Sequence, residues 1–128
     1  MRLIEKKYGG TSVATATKIK NIAKKVASES KINKIVVVLS AMGKTTDHLV
    51  SLAKKCSKNP DLRDYDLLVS SGEQVSISLL SMALKDLGVD SVAYTGWQAG
   101  IKTNNSYSSA RIININASKI KNDLKQKK

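Results

Sequence analysis

The chain of 128 residues has one cysteine, one proline, no phenylalanine and an aromatic content of 4%. The lone Cys56 excludes an internal disulfide. Its spacing with Leu49, Leu52 and Ala53 suits an apolar helix face, so the expected role is a buried structural thiol. Few aromatics leave a base-stacking platform poorly supplied. No apolar run approaches the roughly 18 residues of a membrane span. Met1 to Lys6 lacks the apolar core of a signal peptide, which points to the cytoplasm. Acidic residues are also scarce: 10 Asp and Glu stand against 22 Lys and Arg, a formal net charge of +12.

So basic a chain could neutralise nucleic-acid phosphates, and a small basic nucleic-acid-binding protein is one reading of the charge. The distribution argues against it. Lysines are spread over Lys18, Lys20, Lys24 and Lys25, then Lys54, Lys55 and Lys58, then Lys119 to Lys128. They read as solvated helix faces, and nucleic acid is not the expected partner. Hydrophobic and charged contents of 41% and 25% are ordinary for one globular domain or part of one.

Strand-like and helix-like segments alternate. Leu3 to Tyr8 reads as a strand. Thr15 to Lys31 reads as an amphipathic helix, because Ile19, Ile22, Ala23 and Val26 recur at helical spacing. Lys34 to Leu39 is a β-branched apolar run, suited to a strand covered on both faces. Asp47 to Cys56 reads as a helix, with Thr45 or Thr46 as its N-cap. Asn59-Pro60-Asp61 is a turn. Tyr65 to Leu87 predicts a long helix bent near Ser71-Gly72 and closed by Gly88. Asp90 to Thr95 and Ala110 to Ile115 predict strands, and Ser118 onward a short helix. The pattern is that of an α/β protein with a mostly parallel sheet.

Four segments carry chemistry. Lys7-Tyr8-Gly9-Gly10-Thr11-Ser12 stands at a strand-to-helix turn. Glycines let backbone N–H groups approach an anion, hydroxyls add donors, and the helix start adds partial positive charge. The lysine precedes the glycines, so this is not a Walker loop. Ser40-Ala41-Met42-Gly43-Lys44-Thr45-Thr46-Asp47 follows the second strand, Ser70 to Ser76 includes Gly72-Glu73, and Thr95 to Gly100 follows the third predicted strand. Both Gly-containing loops after strands fall at C-terminal strand ends, where open α/β sheets place ligands. Lys6 alternates to the face opposite Lys7 and is expected to be solvated. His48 reads as a surface residue or cap, and Trp97 as packing.

These four motifs, in this order and spacing, resemble the N-terminal part of aspartate kinase in the amino-acid kinase family, from Leu3 to about Leu124. The resemblance implies a three-layer α/β/α sandwich, present incompletely, with residues 1–128 as the N-terminal part of a catalytic domain and no regulatory domain. It implies phosphoryl transfer from ATP to the side-chain carboxylate of L-aspartate, the entry to lysine, threonine and methionine synthesis. Lys7 becomes the catalytic cation. Lys7, Gly9, Gly10, Thr11 and Ser12 would hold the ATP phosphates, and Ser40, Thr46 and Glu73 would bind aspartate. Thr103 and Arg111 are weaker candidates. No His, Cys or Asp cluster suggests a protein metal site, so Mg²⁺ would arrive with ATP. The pattern stops at Lys127-Lys128, before a further strand with a Gly-Phe-Gln-Gly-like segment and before a Gly-Arg-Gly-Gly-Ser-Asp-like segment that supplies an arginine and an aspartate to the family's site. The chain then holds much of the substrate half of a site and little of the nucleotide half. A truncated non-catalytic remnant, one half of a split enzyme completed by a second chain, and a homo-oligomer all stay open.

Overall fold

A computed structural model describes residues 1–126. Strand β1 (Arg2–Tyr8) leads through a single 3-10 turn (Gly10–Val13) into helix α1 (Ala16–Ser30). Strand β2 (Asn33–Leu39) follows, then α2 (Thr45–Cys56) and α3 (Leu62–Asp86). A short hairpin, β3 (Ile101–Thr103) and β4 (Ile112–Ile115), precedes α4 (Ser118–Lys125). β1 and β2 pair in parallel from Arg2↔Asn33 to Tyr8↔Leu39, joined by α1 as crossover. β3 and β4 form a separate antiparallel pair.

The core lies where α1 and α3 meet one face of this ribbon. Ile19, Ile22, Ala23 and Val26 of α1 and Leu80 and Leu84 of α3 are buried, together with Val13 and Leu39. Tyr8, Ile35 and Val37 pack against them. The helix spacing read from sequence therefore marks the buried stripe. α3 is the one described helix long and apolar enough to span a bilayer, but its buried side chains face α1, α2 and β2 instead. Thr15 caps α1 by accepting the Lys18 N–H at 3.2 Å, and Asp61 caps α3 by accepting from Arg63 and Asp64. Gly88, at φ +76°, lets Val89 N–H return to the Leu84 carbonyl and close α3.

α3 is continuous through Ser71-Gly72; other expectations need correction. Gly72 serves close packing: a Cβ there would stand 3.0 Å from Ala41 Cβ and 3.3 Å from Thr45 Cγ2. α2 starts at Thr45 with Lys44 as its cap residue, so Thr45 and Thr46 lie inside its first turn and neither caps it. Residues 90–95 form no strand, because no described segment pairs with their backbone. Among the described residues β2 is covered on one face only, by α1 and α3, and Val38, on the other, is 42% exposed. Cys56 is exposed, unlike Ala53 one turn before it. Trp97 sits in a run of turns with 76% of its surface exposed, so it is not a packing residue among the described residues.

Lys6 does alternate away from Lys7, but it is not free in solvent. It faces α1, and its Nζ donates to Glu29 Oε1 at 2.5 Å. That hydrogen bond raises the lysine above its usual 10.5, burial opposing. A folded pKa raised in this way contributes stability that is present at neutral pH and lost as pH climbs past the lysine range.

Gly72→Ala tests the packing role. A glycine serving only flexibility would gain about 1 kcal/mol of helix stability on becoming alanine. Contact with buried Ala41 should override this at an overpacking cost of about 1–3 kcal/mol. Chemical denaturation is expected to show a net loss of about 1 kcal/mol, and a gain would return Gly72 to a flexibility role.

Candidate active site

The two glycine-containing loops meet at the C-terminal end of the β1–β2 ribbon. The parallel register delivers Tyr8 and Leu39 side by side, and the Ser40 N–H donates to the Tyr8 carbonyl at 3.1 Å. Beyond the strands the loops bind each other directly: the Gly43 N–H donates to the Gly10 carbonyl at 2.9 Å. This approach requires glycine. A Cβ on Gly10 would lie 3.0 Å from the Ala41 carbonyl oxygen, a backbone atom with little room to move, and Gly43 holds φ +51°.

Lys7 ends the exposed face of β1, opposite the face on which Tyr8 joins the core. Gly9 is extended, and Gly10, Thr11 and Ser12 enter the 3-10 turn, with the Ser12 N–H on the Gly9 carbonyl. Fully buried Val13 anchors the turn. Thr11 and Ser12 are exposed, and neither hydroxyl bonds another described residue. Sequence reasoning missed one member of this loop. Lys18, read as solvated, donates from Nζ to the Thr11 carbonyl at 2.9 Å. It sits in the first turn of α1, one reach back from the loop, and its spacing of seven from Thr11 was the available signal.

Glu73 and Ser40 are brought together through Ser76. The Ser76 hydroxyl, fully buried, reaches the Ser40 carbonyl at 2.8 Å and the Glu73 carbonyl, in its own helix, at 3.1 Å. Gly72 on the preceding position lets α3 touch Ala41, Thr45 and Leu49. The half-buried Glu73 carboxylate forms no salt bridge with a described residue. Glu73 shares the rim of a cleft with Ser70, Gln74, Thr95 and Trp97. Thr95 and Gln98 brace that turn by reciprocal bonds, Thr95 N–H to Gln98 Oε1 and Gln98 N–H to Thr95 Oγ1. Thr46 is half-buried in the first turn of α2, beside Asp47. Thr103 and Arg111 lie away on the β3–β4 hairpin. Among the described residues no group of three His, Cys, Asp or Glu could hold a metal ion.

An extended glycine loop with free hydroxyls, a neighbouring lysine and a helix start can take an anion. A carboxylate on α3, linked to the loop after β2 through Ser76, can take an ammonium. Residues 6–128 match the model of the amino acid kinase family, and the chain belongs to that family. It is 52% identical over 129 residues to "Aspartokinase" of Bacillus sp. (strain MGA3), covering 100% of this chain and 31% of that one. It is also 52% identical to "Aspartokinase 2" of Bacillus subtilis (strain 168), with 32% of the relative covered. The crystal structure of aspartate kinase from Synechocystis superposes with a TM-score of 0.71 at 44% identity, over 79% of this chain and 17% of that one. The fold is therefore the α/β amino-acid kinase fold, of which these residues build part. The chain spans about a third of the length of the curated relatives.

Ser76→Ala should destabilise the chain by about 1–3 kcal/mol, since it removes a fully buried hydroxyl that donates to the Ser40 carbonyl. Denaturant titration measures it, and a change below about 0.5 kcal/mol would remove the Ser76–Ser40 link as a brace of the site.

Proposed function

We propose that this chain contributes the substrate-binding half of an aspartate kinase site. It would serve phosphoryl transfer from ATP to the side-chain carboxylate of L-aspartate, giving 4-phospho-L-aspartate, in the cytoplasm. The observation that carries the reading is the pair of loops locked together by Gly10 and Gly43 at one end of a parallel ribbon, in a chain half identical to aspartokinases.

Phosphoryl transfer asks little covalent chemistry of a protein; it asks for position and charge. Lys7 is the catalytic cation that meets the negative charge spreading over the transferring group. Gly9, Gly10, Thr11 and Ser12 hold ATP phosphates through backbone and hydroxyl donors. Lys18 keeps the Thr11 carbonyl occupied, so that it does not face an anion bare. Ser40 and Thr46 donate to the carboxylates of aspartate, and Glu73 accepts from its ammonium. Both substrates are anionic, and a lysine-rich surface draws them in. Mg²⁺ accompanies the nucleotide and is held by its phosphates, because the described residues offer it no acidic cluster.

Since the chain matches about a third of its relatives, the purified chain alone should show no aspartate-dependent ADP release in a coupled assay. Turnover that depends on Lys7 would show instead that the site is self-sufficient. In any assembly that restores activity, Lys7→Ala should lower kcat by about 10²–10³, with a smaller change in the KM for aspartate. An unchanged kcat takes Lys7 out of the mechanism.

Glu73→Gln keeps the shape of the side chain and loses the ion pair with the substrate ammonium. Its expected signature is a raised KM for aspartate with the KM for ATP nearly intact. Equal loss for both substrates would make Glu73 a structural residue of α3.

A further inference from the structure

The hydrogen bonds of the first glycine loop run in one direction. Its three carbonyls are all claimed by donors: Gly9 by the Ser12 N–H at 3.1 Å, Gly10 by the Gly43 N–H at 2.9 Å and Thr11 by Lys18 Nζ at 2.9 Å. The amides at its start are not claimed. The Gly10 and Thr11 N–H groups open the 3-10 turn, Gly9 offers them no side-chain cap, and neither meets an acceptor among the described residues. A helical turn leaves its first N–H groups unpaired in this way, and an anion is what takes them.

Lys18 stands at the head of a relay that ends on one of those amides. The Thr11 carbonyl that it holds belongs to the same peptide unit as the Ser12 N–H, and a trans peptide keeps the two antiparallel in one plane. That N–H holds the Gly9 carbonyl, which shares its peptide unit with the Gly10 N–H. Fixing the Thr11 carbonyl therefore fixes the direction of the Gly10 N–H. A cation at the head also polarises the hydrogen bond after it, which makes the last N–H a stronger donor. The Thr11 N–H is set separately, because its peptide unit carries the Gly10 carbonyl that Gly43 holds. The Gly9 side of the relay has no other hold. Its backbone is ordinary extended chain, at φ −77° and ψ 171°, and a Cβ there would meet nothing within 4 Å. A peptide unit between two glycines is also the freest to rotate. Lys18 supplies a fixed point: its own N–H donates to Thr15 Oγ1 at 3.2 Å, so one residue ties Thr11 and Thr15, the two ends of the link between the turn and α1.

We propose that Lys18 is a positioning residue of the phosphate site, aiming the Gly10 amide at the anion through the Thr11–Ser12 and Gly9–Gly10 peptide units. Lys18 touches no substrate; it acts through the carbonyl it holds. The inference rests on the reading that this loop receives the phosphates of ATP, and it divides the work of the loop in two. α1 sets one donor through Lys18, and the loop after β2 sets the other through Gly43.

The test is titration of the isotope-labelled chain with inorganic phosphate, followed by NMR at the Gly10 and Thr11 amides, in the wild type, Lys18→Met, Lys18→Arg and Lys24→Met. Phosphate should move both amides in the wild type. Lys18→Met should weaken binding about tenfold, the scale of one charge-assisted hydrogen bond, and abolish the Gly10 response while Thr11 still responds. Lys18→Arg should restore both, since a guanidinium can donate to the same carbonyl. Lys24→Met removes an equal charge from the exposed face of α1 and should stay within about twofold of the wild type, because solvent screens an exposed charge. Equal weakening by Lys18→Met and Lys24→Met would reduce Lys18 to general charge and overturn the proposal. So would unchanged binding in Lys18→Met, or wild-type amides that phosphate does not move. A Lys18→Met chain that no longer folds makes the residue structural, which overturns it too. In any assembly that restores activity, Lys18→Met should raise the KM for ATP about tenfold and leave the KM for aspartate unchanged. A Lys18-dependent phosphate response without aspartate-dependent turnover keeps the positioning role and removes the activity; turnover whose KM for ATP ignores Lys18 does the reverse.

Discussion

The parallel pairing of β1 with β2 is the constraint on which the rest of the molecule depends. Its register brings Tyr8 level with Leu39. The two loops that follow therefore leave the ribbon at one height, and they can hydrogen-bond across Gly10 and Gly43. A slip of one residue would turn Ile35, Val37 and Leu39 away from α1 and α3 and place Val36 and Val38 in the core. It would also separate the loops. The core and the candidate site are thus secured by the same seven pairs, which is why the buried stripe of α1 and the glycines of the loops belong to one argument.

α3 makes the second connection. Its middle is held to the loop after β2 by the missing side chain of Gly72 and by the Ser76 hydroxyl on Ser40. Its C-terminal half supplies Leu80 and Leu84 to the core. A carboxylate at Glu73 is therefore positioned by packing on both sides of it. The cost of such positioning is specificity of shape: alanine at Gly72 meets Ala41, which is itself buried.

The sequence made the ribbon and α1 legible because their signals are local. β-branched runs and a 3.6-residue apolar period need no distant partner to be read. The two loops were legible as turns at strand ends because glycines punctuate both apolar runs. What could not be read depends on partners far along the chain. Lys6 and Lys18 look alike in sequence to the solvated lysines around them. Only the fold brings Glu29 to one and the Thr11 carbonyl to the other. The close packing at Gly72 could not be read because a glycine in a helix signals either flexibility or contact, and the deciding neighbour, Ala41, is 31 positions away. Cys56 has helical spacing with buried Ala53, yet spacing alone does not bury it: it is exposed at the end of α2. Residues 90–95 have strand composition, but a strand is a pairing, and none of the described residues pairs with them.

Charge follows the same division between local and distant. The formal net charge of +12 read first as solvated helix faces. At the loop end of the ribbon three lysines gather from separate elements: Lys7 ends β1, Lys18 begins α1 and Lys44 precedes α2. Asp47 is the one acid in the first turn of α2. Under the proposed reading this end must hold two anionic substrates at once, and the mutual repulsion of their phosphates and carboxylates is what a protein has to overcome. Loop amides, hydroxyls and lysines supply part of the compensation. Lys18 spends its charge on the backbone carbonyl of Thr11, which leaves Lys7 as the lysine on the exposed strand face with no described ion pair. A cation meant for a transferring group has to be free of a resident partner, and that is the physical reason to assign the role to Lys7 and not to its neighbour Lys6, whose charge Glu29 already holds.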